Sequence, residues 1–388
     1  MMKKYIAERY QEDFSTPMGN SDFLLDRYDD VIDFSLGDPD ITTDGEVIRK
    51  TMQDALDGHT HYTSFQGDIE LRQALVENLA DNYGVKYSTD EIMVTTSGCH
   101  AMWLALESIT NDGEEIILHE PYFTPYPQQV LLTRGIPTTV PTYEEDLFQI
   151  DPKRLEAKIT DKTKAIIINT PNNPTGACFS RENLEAISKI CQDRDIVVIS
   201  DDIYTLYSYK SSFVPIVSIP GMKERTIVIG SFSKDYAMTG WRIGFIAAPK
   251  SLIDIVRNIN ENNVFTAPSI SQRAALHALK DKERIQAPML AEYRSRLNIL
   301  YEEVCQTPKM SMLEPMGTIY AFVNIKQTGM TAEEVAEYLL ENAHIVVLPG
   351  TAFGEESGEG YIRFAITVDD SVIRQAFARI RQTELFNG

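Results

Sequence analysis

Between about residues 90 and 250, short runs of β-branched and aliphatic residues alternate with stretches whose apolar positions recur every three or four residues. The runs predict strands at Ile92–Thr96, Glu115–His119, Lys164–Asn169, Asp195–Ser200, Thr226–Gly230 and Arg242–Ala247. The intervening patterns predict helices near 100–109, 124–134 and 180–193. Fully apolar strands alternating with helices build a mostly parallel sheet covered on both faces. Downstream, 250–263 and 267–306 read as helices. They are followed by a strand near 319–325, a helix near 331–342, strands near 345–348 and 361–366, and a last helix near 370–384. That is a smaller α+β unit. The first forty residues are loop-rich, have no core of their own, and are expected to pack against that unit or a partner chain.

Composition narrows the function classes. A chain of 388 residues suggests two domains, at roughly 150 residues each. It is 43% hydrophobic and 24% charged, the balance of a globular protein rather than a disordered one. Thirty-six basic against fifty-seven acidic side chains leave a net charge of −21, which opposes phosphate backbones and anionic membrane surfaces. No nucleic-acid or membrane partner is expected. The four cysteines, at 99, 178, 191 and 305, form no CxxC pair and read as reduced, mostly buried thiols of a cytoplasmic protein. The N-terminus has no apolar leader segment. His59 and His61 form an H-x-H without a third ligand in the pattern, and no metal is assigned.

The residues after the predicted strands carry the chemistry. They are Ser97-Gly98-Cys99-His100, Asn172-Asn173-Pro174-Thr175-Gly176, Asp201-Asp202-Ile203-Tyr204 and Ser231-Phe232-Ser233-Lys234. Ligands of open α/β sheets bind outside the carboxyl ends of the strands, so these segments converge on one site. Gly98 permits close approach of helix N-terminal amides to a phosphate, and Arg242 offers the balancing charge. Asp201 is suited to a pyridine nitrogen, and Lys234 to a Schiff base. Each signal has a plainer reading: a turn at Asn173–Gly176, a cap at Asp201, a surface lysine at 234, an ordinary ion pair at Arg242. Ser231-x-x-Lys234 also fits the S-x-x-K of penicillin-binding enzymes, but the S-D-N and K-T-G strings that accompany it are absent from the chain.

Taken together the strings resemble the class I/II aminotransferases, fold-type I enzymes dependent on pyridoxal 5'-phosphate. Ser231-Phe-Ser-Lys234-Asp-Tyr-Ala-Met-Thr-Gly-Trp-Arg242-Ile-Gly is similar to their lysine signature. Thr170–Gly176, Ser200–Tyr204, His61–Gly67 with Leu71-Arg72, Leu36–Asp40 and Tyr361–Phe364 match further blocks in order, over about residues 30 to 385. The resemblance implies a large cofactor domain over 46–275, with a mostly parallel seven-stranded sheet. It implies a small α+β domain over 276–388, and an arm with part of the small domain over 1–45. Lys234 becomes Schiff-base amine and proton shuttle, Asp201 the partner of the pyridine nitrogen, and Tyr204 and Asn173 the holders of the ring hydroxyl. Phe123 stacks on the ring. Gly98, Cys99 and His100, with Ser231, Ser233 and Arg242, hold the phosphate. Tyr62 reaches the phosphate of the neighbouring subunit of a homodimer. Gly37, Asn173 and Arg363 bind the substrate α-carboxylate.

The implied reaction is ping-pong transfer of an amino group from an L-amino acid to a 2-oxo acid. A cystathionine β-lyase-like C–S lyase needs the same Lys234, Asp201 and Arg363. A non-catalytic cofactor-binding regulator is opposed by the charge, and by the arrival of Leu36-Gly37 within forty residues, which leaves no space for a winged helix. Two features depart from the common pattern. Cys99-His100 replaces a small or hydroxylated pair, and Arg27, Arg257, Arg273 and Arg294 are the candidates, by sequence region alone, for a second carboxylate. Tyr62, Ser64, Phe65, Phe123 and the 260s suggest a pocket tolerant of apolar or aromatic side chains.

Overall fold

The computed structural model describes residues 2–7, 10, 22–210 and 212–387. Seven strands form the central sheet: β1 (Ile92–Thr95), β2 (Glu115–Glu120), β3 (Ile136–Pro141), β4 (Thr163–Asn169), β5 (Val197–Asp201), β6 (Thr226–Ser231) and β7 (Gly244–Ala247). Their spatial order is β1-β7-β6-β5-β4-β2-β3. Every pairing is parallel except those of β7, which runs antiparallel to β1 and β6. Ile116, Ile117, Leu118, Ile166, Ile167, Ile168, Val198 and Ile199 are buried, as strands covered on both faces require.

All six expected strands are present. The seventh, β3, went unread because Pro137 and Pro141 interrupt its pattern. It lies at the sheet edge, where the missing N–H groups cost no ladder hydrogen bond. Two helices ahead of the sheet, Gly45–Leu56 and Ile69–Tyr83, were also unread. Asp44 caps the first by accepting from Glu46 N and Val47 N at 2.9 and 3.1 Å. Asp68 caps the second, which stops at Gly84 in the left-handed region, φ 67°.

The stretch 267–306 is not one helix but two, Ser269–Lys280 and Lys282–Cys305, broken at Asp281. The first packs on the two helices ahead of the sheet; the second packs on the final helix, Asp370–Gln382, and under the strand Tyr320–Asn324. Each serves a different layer, and the Asp281 carboxylate at the break is taken up by Lys50 and Arg284.

A small antiparallel sheet joins Leu348–Pro349, Tyr361–Ala365 and Tyr320–Asn324 in that order. Ile32–Asp33 pairs in parallel with Ile345–Val346, and Ala365 N donates to Phe34 O at 2.8 Å. This part of the N-terminal segment therefore packs on the C-terminal unit, the first of the two expected placements. Residues 8, 9 and 11–21 fall outside the described structure. The expectation of mostly buried thiols is corrected: Cys191 is buried, Cys178 half-buried, and Cys99 and Cys305 are exposed.

Candidate active site

The strand order explains why residues far apart in sequence share one edge. The carboxyl ends of β1, β5 and β6 deliver Ser97-Gly98, Asp201 and Ser231 to the same side of the sheet. Because β7 is antiparallel, its amino end lies beside them, with Gly244 registered against Thr95 and Ser231. Arg242, two residues before that end, is brought to the edge by strand direction.

There a cavity of about 280 Å3 opens. Of the expected residues, Gly37, Gly98, Cys99, Phe123, Asp201, Tyr204, Ser231, Ser233, Lys234 and Arg242 line it. At its floor the helix Gly98–Ile109 begins. A side chain at position 98 would meet Ile203 Cδ1 at 2.8 Å, so glycine allows the backbone to sit this close. Ser97, the N-cap, holds φ at 89°, an uncommon value for a non-glycine residue, and its Oγ accepts from His100 N at 3.3 Å. The His100 imidazole turns away from the cavity: Nδ1 accepts from Thr96 N at 3.3 Å, the ring stacks on Trp103, and burial pulls its pKa down to about 4.

Asp201 is 3% exposed. Tyr126 donates to Oδ2, and Oδ1 has no hydrogen-bond partner in the protein. Burial pushes the carboxyl up to about 7, and the Tyr126 hydroxyl acts in the opposite sense. An acid held this way, with one oxygen free, is suited to a cationic N–H. Asn169 Nδ2 donates to Asp201 O at 3.0 Å and its Oδ1 accepts from Asn173 N at 2.9 Å, tying β4 to β5. Lys234 Nζ donates to Gly37 O, so the N-terminal segment closes directly over the lysine.

Arg363 and Asn173 meet beside this cavity. Arg363 is fully buried in the small sheet, its guanidinium 4.4 Å from the Tyr320 ring centre and 4.7 Å from that of Phe353. Nη1 donates to Asn173 Oδ1 at 3.0 Å and Nη2 to Ser35 O. Arg363 Nε and Asn173 Nδ2 have no partner, leaving two donors in one place. Burial pulls the Arg363 pKa down from its ordinary value.

Tyr62 is not brought to the cavity of its own chain. It is 81% exposed and packs edge-on against Phe265, which also meets Phe65. None of the four arginines considered for a second carboxylate lines the cavity. Arg27 pairs with Glu337, Arg273 with Asp54, Arg294 donates to Tyr209 O, and Arg257 donates to Asn258. His59 and His61 lie exposed at a turn.

Three lining residues escaped the sequence reading: Tyr126, Asn169 and Tyr320. Tyr126 had a signal, since it lies three residues beyond Phe123 in the first turn of the helix that follows. Tyr320 had none. Its hydroxyl is 3.0 Å from that of Tyr204, and a side chain on Gly37 would collide with it.

Comparison with known proteins agrees with this arrangement. Residues 29–380 match the family described as aminotransferase class I and II. The chain is 36% identical to an aromatic-amino-acid aminotransferase of Thermococcus litoralis, with 91% of each chain covered. It is equally 36% identical to an aspartate aminotransferase of Pyrococcus horikoshii, covering 92% of this chain and 91% of that one. The solved structure of a Thermus thermophilus aspartate aminotransferase with maleate superposes with a TM-score of 0.92 at 30% identity, covering 97% and 99% of the two chains. Among the described residues no helix is long and apolar enough to cross a membrane.

Proposed function

Because the chain belongs to the class I and II aminotransferases, and so moves amino groups between amino acids and 2-oxo acids with pyridoxal 5'-phosphate, we propose how its own residues divide that work and which substrates they favour. The residues fit the cofactor. A helix N-terminus and the Ser231 and Ser233 hydroxyls, with Arg242, suit its phosphate, and the free Asp201 Oδ1 suits its ring nitrogen. When bound, the cofactor supplies an electron sink conjugated to the substrate Cα.

Lys234 is the amine that would carry the cofactor and then take and return the proton at Cα. Asp201, oriented by Tyr126, would keep the ring nitrogen protonated. Tyr204 and Asn173 would hold the ring hydroxyl, and Phe123 would cover one ring face. The backbone at Gly98, Cys99 and His100 would take the phosphate. The α-carboxylate takes the two free donors of Arg363 and Asn173, with the Gly37 amide beside them. This requires the Ser35 and Gly37 carbonyls to yield their contacts with Arg363 and Lys234. Tyr62, exposed with Phe265, serves a second copy's site, which makes the working unit a homodimer. Unpaired cysteines suit a cytoplasmic enzyme.

The donors favoured are aromatic and large apolar amino acids rather than aspartate. The observation that carries this is the lining: Leu36, Phe123, Ile203 and Tyr320 supply the apolar wall, and the only cationic side chains among the lining residues are Lys234 and Arg242, both already engaged with the cofactor in this reading. The two named activities of relatives at equal identity are compatible with either preference. The test is the visible absorption of the purified enzyme, titrated with single L-amino acids and no oxo acid. Phenylalanine and tyrosine are expected to bleach the cofactor band at lower concentration than aspartate. The reverse order would overturn the substrate assignment.

A further inference from the structure

Behind the turns that carry Asp201 and Lys234 lies a second cavity, of about 350 Å3. Its polar lining includes Asn78, Asn82, Tyr83, Asp202, Asp235 and Lys282, and it adjoins the first cavity at Ser231, which lines both. Asp202 and Asp235 are the chain neighbours of Asp201 and Lys234, yet neither lines the first cavity.

Both carboxyls are buried, Asp202 at 5% and Asp235 at 6% exposure. Ser200 Oγ donates to Asp202 Oδ1 at 2.6 Å. Thr205 Oγ1 and Leu206 N donate to Asp235 Oδ2 at 2.9 and 3.2 Å. The other two oxygens, Asp202 Oδ2 and Asp235 Oδ1, have no hydrogen-bond partner in the protein. Lys282 makes no hydrogen bond to either carboxylate, though its charge is felt at Asp235: its Nζ donates to Asn78 Oδ1 at 3.1 Å and to Asn82 Oδ1 at 2.7 Å. The nearby Tyr83 phenol, held neutral because burial and Asp202 keep its pKa far above the ordinary value, lends the Asp202 carboxylate partial support.

Two carboxylates and one ammonium leave one negative charge in excess in a place where an unpaired charge is costly. Burial raises both carboxyls, Asp202 to about 6 and Asp235 to about 7, so the excess grows as pH rises through that range and is nearly complete by about pH 8. One monovalent cation cancels it. A divalent ion would reverse it.

We propose that this cavity binds one monovalent inorganic cation, of the size of sodium, potassium or ammonium, at Asp202 Oδ2 and Asp235 Oδ1. The ion steadies the two turns that present Asp201 and Lys234 to the first cavity. The site does not depend on the substrate reading given above.

The test is thermal unfolding of the holoenzyme at pH 8 in the chlorides of sodium, potassium and ammonium, against tetramethylammonium at equal ionic strength. At least one small cation is expected to raise Tm by about 2 °C or more over tetramethylammonium, the shift for a ligand well above its dissociation constant. Asp202→Asn and Asp235→Asn are expected to lose that increment whichever way their own baselines move, and Lys282→Met to enlarge it. Sodium NMR line broadening by the unmodified enzyme, reversed by potassium, reads the same site without a variant. Equal Tm in all four salts with no broadening overturns the proposal, as does an increment that survives intact in both asparagine variants.

Discussion

Arg363 is where a single residue's environment says most about its use. A guanidinium enclosed between two aromatic rings, with Nε unpartnered, is held in place by packing before any substrate arrives. Its planar fork suits a carboxylate in a way that an ammonium does not. Arg363→Lys is therefore expected to lower kcat/KM for amino acids by about 30-fold or more, the loss of one charge-assisted bidentate contact. Cofactor retention, read from the visible absorption of the purified variant, is expected to stay within about twofold, since the contact proposed for Arg363 is with the substrate. A parallel loss of cofactor would remove Arg363 from the carboxylate role. Asp201 teaches the complementary lesson: its identity was legible from its place after β5, but the Tyr126 hydroxyl that orients it comes from a helix 75 residues earlier.

At the scale of elements, Asp44 joins two of them. It caps the helix Gly45–Leu56 and forms a bidentate pair with Arg284 of Lys282–Cys305, at 2.7 and 2.9 Å. The Arg284 hydrogen bonds are the main cause that lowers the Asp44 carboxyl to about 2. A carboxyl whose folded pKa is depressed stabilises the fold above its unfolded value of about 4, and that contribution fades as pH falls toward 2. Asp44→Ala is expected to cost about 1–2 kcal/mol at pH 7, in the range of a lost helix cap. Denaturant unfolding is expected to show the gap between variant and parent shrinking as pH drops from about 4 toward 3. A gap independent of pH would mean that the carboxylate charge contributes nothing. Asp281, between two helices that the periodicity merged, shows the limit of pattern reading here. Apolar spacing continued across it, and only the layers packed on either side separate the two helices.

For the whole molecule, the Tyr62–Phe265–Phe65 cluster, exposed at Tyr62 and Phe265, bears on whether one chain suffices. If Tyr62 serves the neighbouring site, Lys234→Ala and Tyr62→Ala subunits fail separately for different reasons. Unfolded and refolded together in equal amounts, they are expected to recover roughly a quarter of the parental activity. Half of the dimers are then mixed, and each has one intact site in a two-fold assembly. No recovery from subunits that do exchange would place Tyr62 in its own chain's site or in none.

Six of the seven strand runs, three of the helices between them and the polar segments after β1, β4, β5 and β6 were legible in order, while β3 and the helix Pro152–Lys158 were not. These features are local: burial on both faces writes a continuous apolar run into the chain, and a ligand edge writes glycine, amides and hydroxyls at its end. The same reading reached Lys234, Asp201, Gly98 and Arg242, and the lysine signature resembled one family closely enough to name a cofactor. What tertiary structure alone decided is long-range. The antiparallel course of β7 puts Arg242 at the edge, and the small sheet sets Arg363 against Asn173, 190 positions away. Tyr320 lies over Gly37, and Asp202 and Asp235 turn into a cavity of their own. Such contacts leave no periodicity because the partners share neither a strand nor a helix turn. They exist only once separate elements are packed together, and they govern what the site can hold.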